Sequence, residues 1–412
     1  METPSGDVTN LKPPRTPRAR LIAFYLPQFH PIPENDKWWG PGFTEWTNVA
    51  KARPLFRGHY QPRIPGDLGF YDLRLPETRA AQAELARQAG IEGFCYWHYW
   101  FAGKRLLERP FSEVLESGEP DFPFCLGWAN QTWSGIWHGA PNRILIEQTY
   151  PDAQDHERHF YSLLPAFHDR RYVRVRDMPL FVIFQPWELP DLQGFIDQWQ
   201  TLAVKNGLKG LHIVSHLSHH EWGLDYERLG FSGAVVATNL KMLAVPIREV
   251  AARHAEQLRR GAKNGTRLTE GLRASRRMAF YATMKVRRRL LGSSLYVFHY
   301  EDAAMFFVRD LQPKATSYPS VIPDWDNSPR SGARALILHG STPELFRRHI
   351  EEAIGLVQNR EPEDRIVFVK SWNEWAEGNY LEPDRKSGHQ YLDVVRETVF
   401  AANGATSGTL RG

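Results

Sequence analysis

The sequence predicts an α/β fold, a (β/α)8 TIM barrel with a basic helical insertion between strands six and seven. Three observations lead there. Eight short apolar, β-branched or aromatic runs follow one another along the chain, helical stretches come after most of them, and polar and aromatic residues cluster at the carboxyl end of nearly every run. The 412 residues suit one large barrel or two ordinary domains, and 42% apolar with 24% charged residues set aside disordered, collagen-like and disulfide-scaffold classes.

The runs cover residues 21–26, 93–99, 122–128, 179–184, 211–215, 233–238, 320–323 and 365–370. Each opens after a turn signal and is nearly continuously apolar, as a parallel strand covered on both faces requires. Helical composition follows at 76–89, 153–167, 192–206, 343–358 and 390–401. No Gly-x-Gly-x-x-Gly turn follows the first run, which weighs against a dinucleotide-binding sheet. The expected organisation is a disordered basic tail over 1–19, a single catalytic barrel over 20–402 with the insertion at 241–292, and a flexible tail over 403–412.

Barrel loops at the carboxyl ends of the strands converge on one mouth, so chemistry is expected there. The first strand leads to Tyr25, Gln28 and His30, the second to Trp97 and His98, and the third to Trp128, Asn130 and Trp133. The seventh leads to Asp324, Trp325, Asp326 and Asn327, the eighth to Trp372, Asn373, Glu374, Trp375 and Glu377. Rings beside hydrogen-bonding groups suit a polar ligand with flat faces, such as a sugar, with core packing the competing reading for each tryptophan. Tyr25 and Gln28 are candidate partners of sugar hydroxyls, and His30 and His98 candidate pocket donors. Trp97, Trp128, Trp133 and Trp325 are candidate stacking platforms. Asp324, Asp326 and Asn327 are placed at hydroxyls near the reacting bond, with loop bracing the other reading for Asp326. Glu45, with no acid beside it in sequence, reads as structural or at the pocket rim.

Glu374 and Glu377 are the strongest candidates for chemistry. Three residues apart on a helical turn, their Cβ atoms would lie about 5–6 Å from each other. Two carboxyls so close cannot both ionise easily, so one rises in pKa and an acid and a base arise from the same side chain. The competing reading is an exposed acidic turn.

Cys95 and Cys125 cannot make a disulfide framework, so a reducing compartment is expected. The first twenty residues lack an apolar h-region, and no run approaches the roughly eighteen apolar residues that span a bilayer. A cytoplasmic protein, peripheral to the inner membrane, is the resulting expectation. Residues 241–292 hold fourteen Lys and Arg against three acids, a net of +11, so with the chain at +4 the remainder carries −7. That insertion reads as a solvated helical hairpin or as a surface for anionic lipid or acidic glycan. Nucleic acid is not expected, because no binding motif accompanies the charge. His216, His219 and His220 have no carboxylate at a zinc spacing, so neither metal nor cofactor is expected.

Four segments carry a resemblance: 23–30 (AFYLPQFH), 38–48 (WWGPGFTEWTN), 323–327 (PDWDN) and 372–383 (WNEWAEGNYLEP). They resemble the glycoside hydrolase family 99-like proteins, and within them the WbsX-type branch of bacterial surface-polysaccharide gene clusters. The likeness runs over about residues 20–398 and omits much of the basic insertion. It implies a (β/α)8 barrel that cuts α-mannosidic linkages with retention and without a metal, on an oligo- or polysaccharide substrate. It further implies that the substrate's own 2-hydroxyl is the nucleophile. Glu374 then corresponds to the base that draws its proton, and Glu377 to the acid that protonates the leaving oxygen and later activates water. Ala376 stands where the hydrolases carry His, a departure that leaves mannose specificity open. The same chemistry passing the sugar to an acceptor would make a glycosyltransferase of surface-polysaccharide biosynthesis, and a non-catalytic glycan-binding barrel is the third reading.

Overall fold

The computed structural model describes residues 16–135, 140–217, 225–236, 268–290, 292, 294–304, 306–308 and 316–401. Its centre is a closed barrel of eight parallel strands: β1 (Arg20–Tyr25), β2 (Ile91–Phe101), β3 (Phe124–Trp128), β4 (Met178–Ile183), β5 (His212–Leu217), β6 (Gly233–Val236), β7 (Ser317–Val321) and β8 (Ile366–Val369). Each strand pairs with its neighbours in chain order. β1 closes the circle against β8, with Leu21 opposite Val367, and against β2, with Tyr25 opposite Tyr96. All eight apolar runs recur as these strands, with ends shifted by a few residues.

The outer layer includes α1 (Pro76–Ala89), α2 (Arg109–Ser117), α3 (Ala153–His168), α4 (Leu192–Lys205), α6 (Pro343–Val357) and α7 (Gln390–Val399). Their starts follow local chemistry. The Asp152 side chain accepts from the Asp155 amide at α3, Asp191 from Gly194 at α4, and Thr342 from Leu345 at α6, each satisfying an amide the helix leaves without a partner. Proline opens α1, α2 and α6 within the first turn, where its missing N–H costs nothing.

Between β6 and β7 the described elements are α5 (Leu268–Leu290), within the insertion, then a strand at Tyr296–His299 and a short helix at Tyr300–Ala304. Residues 241–267 of the insertion lie outside the described residues, as do 1–15, His219, His220 and 402–412. Tyr296–His299 runs parallel to Leu336–His339, which pairs antiparallel with Trp325–Asp326 just beyond β7. The insertion is thereby stitched to a mouth loop. Phe56, Leu295, Val297, Ala335 and Ile337 form a satellite core under α5, which contributes Phe280 and Met284. Among the described residues no helix is long and apolar enough to cross a membrane.

Candidate active site

At the carboxyl ends of the strands lies a cavity of about 400 Å³, within the range of small-molecule sites. Glu374 and Glu377 both line it. Beyond β8 the chain makes a short antiparallel pair, Asn373–Glu374 with Asn379–Tyr380, around a single turn at Trp375–Glu377. Gly378 closes that turn at φ +60°, where an added Cβ would stand 2.8 Å from Asp326 and 2.9 Å from Arg63. Arg63 also donates to the Gly378 carbonyl at 3.1 Å, fixing the Gly378–Asn379 peptide that follows the turn.

One guanidinium organises the acids. Arg330 donates from Nη2 to Glu374 at 2.5 Å, from Nη1 to Glu377 at 2.9 Å and from Nε to Glu45 at 3.1 Å. Three carboxyls and one cation face each other with little water to screen them, so full ionisation leaves an excess of negative charge. Glu374 takes the consequence. Burial pushes its carboxyl up to about 8; Arg330 pulls it down, while Glu377 and Glu45 add to the rise. Lys370, at the end of β8, lines the same cavity, and its ammonium lies 5.7 Å from the Trp325 ring centre. Burial lowers its pKa, against the pull of Glu377 and Glu374.

Arg330 is held by the residues before it. Asp326 accepts from the Ser328 amide at 2.9 Å, Asn327 accepts from the Leu336 amide at 2.8 Å, and the Arg330 amide bonds the Asn327 carbonyl at 3.2 Å. Asp326 is itself fully buried and accepts from Gln61 at 2.7 Å, with the His59 ring at 2.7 Å and Arg63 at 3.9 Å. Burial would raise its carboxyl, yet the bond to His59 and the charge of Arg63 hold it at about 2. Of its two readings, loop bracing is the one its contacts match. Asn327 has the same task, and Asp324 is spent on Arg63 at 2.9 Å outside the main cavity.

Of the sequence candidates, Gln28, Trp97, Trp133, Trp325, Glu374 and Glu377 line the cavity, as does Glu45, read from sequence as structural or at the rim; the others do not. Strand alternation explains most of the difference, because successive side chains face opposite sides of the sheet. On β2, Trp97 and Tyr99 face the cavity, whereas His98 points outward and meets His159 of α3 at 2.9 Å, its pKa lowered by burial to about 3. Trp97 stacks on Phe24 at 4.6 Å and stands over Gly127, where a Cβ would come within 3.0 Å of its ring. The neighbours of those two residues face the helices. Tyr25 donates to Gln82 of α1 at 2.7 Å, and Trp128 packs against His159 and Phe195.

The remaining candidates hold the barrel rim together. Asn373 grips the Leu26 backbone with both amide atoms, at 2.7 and 3.0 Å, and Asn130 grips Gln185 likewise, at 2.8 and 2.7 Å. Each side chain extends the ladder to the next strand beyond the point where backbone pairing stops. Trp375 donates to Glu382 at 2.6 Å and stacks on Tyr380; Trp372 packs on Phe94 in the core. His30 is buried away from the cavity, and that burial lowers its pKa to about 4. Ala376 is also buried in the core and does not line the cavity.

Sequence reasoning missed Arg330 and Lys370 and undervalued Glu45. It also missed Asn35, Asn48 and Asn379, each at most 2% exposed and lining the cavity, with one amide atom lacking a protein partner. Groups left so inside a fold are suited to ligand hydroxyls. Lys370 had a signal, a charge ending an apolar strand; Arg330, in a Ser-Pro-Arg-Ser turn, had none. Among the described residues no group of three His, Cys, Asp or Glu is arranged to hold a metal ion.

Comparison with known proteins identifies relatives of the chain. The family model described as glycosyltransferase WbsX matches residues 21–395. The chain belongs to the WbsX family. Two WxcX proteins, from two strains of Xanthomonas campestris pv. campestris, are each 36% identical over 397 residues, 94% of this chain and 51% of theirs. The chain therefore spans about half the length of the curated relatives it matches. Among solved structures, a glycoside hydrolase-like protein aligns with a TM-score of 0.55 at 15% identity, over 97% of this chain and 98% of its own. The GH99 endo-alpha-mannosidase from Bacteroides thetaiotaomicron, in complex with Bis-Tris-propane, aligns at 0.52 and 13%, over 93% and 97%. At those identities the likeness is one of fold.

Proposed function

We propose that this WbsX chain is a glycan-active enzyme that cleaves α-mannoside-type linkages with retention, using Glu374 and Glu377 on one side of the sugar ring. The observation that carries the reading is the single Arg330 guanidinium bonded to both carboxyls inside a cavity walled by Trp97, Trp133 and Trp325. Acids tethered to one planar cation cannot sit on opposite faces of a sugar, as direct attack with opposed acid catalysis requires. They suit attack by the neighbouring 2-hydroxyl. Glu374 takes the O2 proton as O2 closes on C1 and the C1–O bond breaks, while Glu377 gives its proton to the departing oxygen. Water then opens the 1,2-anhydro sugar, losing a proton to Glu377 as O2 regains one from Glu374.

The elevated Glu374 carboxyl makes this scheme testable. With its value near 8, the free enzyme carries a proton there at neutral pH. If Glu374 is the base, kcat/KM on α-manno-configured oligosaccharides rises with an acid limb near pH 8; if the same group is the acid, a falling limb appears there instead. Mass spectrometry of the products, with Glu377→Gln as control, decides whether any cleavage occurs. Binding without turnover at any pH would leave only a glycan-binding barrel.

Transfer is the second reading, favoured by the family's description as glycosyltransferase WbsX. An acceptor hydroxyl replaces water in the second step with no other change in the residues used. Elongated products when acceptor oligosaccharides are added distinguish it from hydrolysis.

A further inference from the structure

The helix α5 has two faces with different tasks. Inward, Phe280 packs against His299 at 4.6 Å and His339 at 5.5 Å, Tyr281 donates to Asp302 at 2.7 Å, and Arg277 pairs with Glu301 and Asp302. Outward, positions 278, 282, 286 and 290 fall at four-residue steps into one stripe. Met278 is 40% exposed, Val286 55% and Leu290 80%, with the small Ala282 between them. On the helical wheel exposed Lys285 borders the stripe on one side and exposed Arg276 and Arg287 on the other, while exposed Arg289 falls inside its arc, next to Leu290 at the end of the helix. An apolar stripe set among cations does not match the phosphates of nucleic acid, which offer nothing to the apolar centre. It matches the headgroup boundary of a membrane, where apolar side chains enter the acyl region and Lys and Arg stems reach back to anionic headgroups. Charge complementarity also sets the orientation: residues 241–292 carry +11 while the rest of the chain carries −7 and is repelled by the same surface.

We infer that the outward face of α5 docks this protein on an anionic lipid surface, with Met278, Val286 and Leu290 entering the headgroup boundary and Arg276, Lys285, Arg287 and Arg289 on the phosphates. The inference is independent of the chemistry in the barrel mouth. Co-sedimentation of the full chain with phosphatidylcholine vesicles, with and without phosphatidylglycerol, tests it. The protein pellets with the anionic vesicles, not with phosphatidylcholine alone, and releases in high salt. Replacing the four cations by Ser weakens binding by about fivefold for each one removed. The combined Met278→Ser, Val286→Ser and Leu290→Ser variant loses at least about tenfold through lost apolar burial. All these sites are exposed, so thermal melts of both variants match the parent. Because Cys95 and Cys125 are buried, an environment-sensitive dye on Leu290→Cys labels one place and shifts to the blue on anionic vesicles. Three results each overturn the inference: protein left in the supernatant, unchanged binding by the apolar variant, or retention on a soluble polyanion such as heparin without vesicle binding.

Discussion

Asp326 and Glu374 sit in neighbouring mouth loops, both buried, yet one carboxyl is held at about 2 and the other pushed to about 8. Burial acts upward on both. The difference lies in the partners. Asp326 collects His59, Gln61, the Ser328 amide and part of Arg63, and its local charge is matched. Glu374 shares one Arg330 with two other acids. Glu382 shows that neutral donors are not enough: Trp375, Gln82 and Tyr71 all donate to it, yet burial still lifts it to about 7. Close hydrogen bonds from His59 and Ser328 with the Arg63 charge nearby hold Asp326 ionised as a brace, whereas one guanidinium divided among three acids leaves Glu374 its proton.

The comparison breaks most sharply at the acids themselves. Glu374→Gln or Glu377→Gln is expected to cut turnover by about a thousandfold, the scale of general acid–base catalysis, with glycan affinity within a fewfold of the parent by calorimetric titration. Turnover retained by both variants would remove the pair from the chemistry. Glu374→Gln also reports on stability. Its folded value stands above the ordinary one, so its contribution is complete below about pH 4.3 and is lost as pH rises through 8. Melting temperatures of the Gln variant should therefore overtake those of the parent progressively between pH 5 and 8.

Arg330→Met strands three acids together and is expected to cost about 3–5 kcal/mol near pH 8, less at pH 5 where Glu374 holds its proton. Denaturant titrations at the two pH values measure the difference. Arg330→Lys restores only part, because an ammonium lacks the fork that reaches three carboxylates. Asp326→Asn is the opposite test. Its depressed value contributes stability that is present above about pH 3.9 and lost as pH falls toward 2, so the variant loses about 2 kcal/mol at pH 7 and little at pH 2.5. A loss that grew toward low pH would contradict the bracing assignment.

The barrel was legible because each strand is a local apolar run that only a covered parallel strand explains. The position of Glu374 and Glu377 was legible too, since a strand's end fixes where its loop opens. What failed was resolution within a cluster. Trp97 and His98 were taken together, though adjacent strand residues must part to opposite faces, and the same holds for Tyr25 beside Phe24. Strict alternation from Gly93 onward would have assigned them correctly. Arg330 was not legible by any local rule. Its role exists only where the helix that Glu45 opens, the turn braced by Asp326 and the segment after β8 meet, and no short stretch of sequence contains that meeting.

Lys370 offers the smallest and finest test. Among the described residues it has no acid within ion-pair distance, yet Glu374 and Glu377 are close enough to act on it through space. Lys370→Met fills a similar volume and removes a desolvated charge, so stability should change by no more than about 1 kcal/mol. The acids respond differently. Losing a neighbouring cation makes ionisation of Glu374 harder, which moves its titration further above 8 by up to about one unit. The limb of the kcat/KM profile assigned to Glu374 must then move to higher pH by the same amount. A limb that stays in place while Lys370→Met remains folded and active would mean that a different group titrates there, and the roles of the two glutamates would have to be exchanged or abandoned.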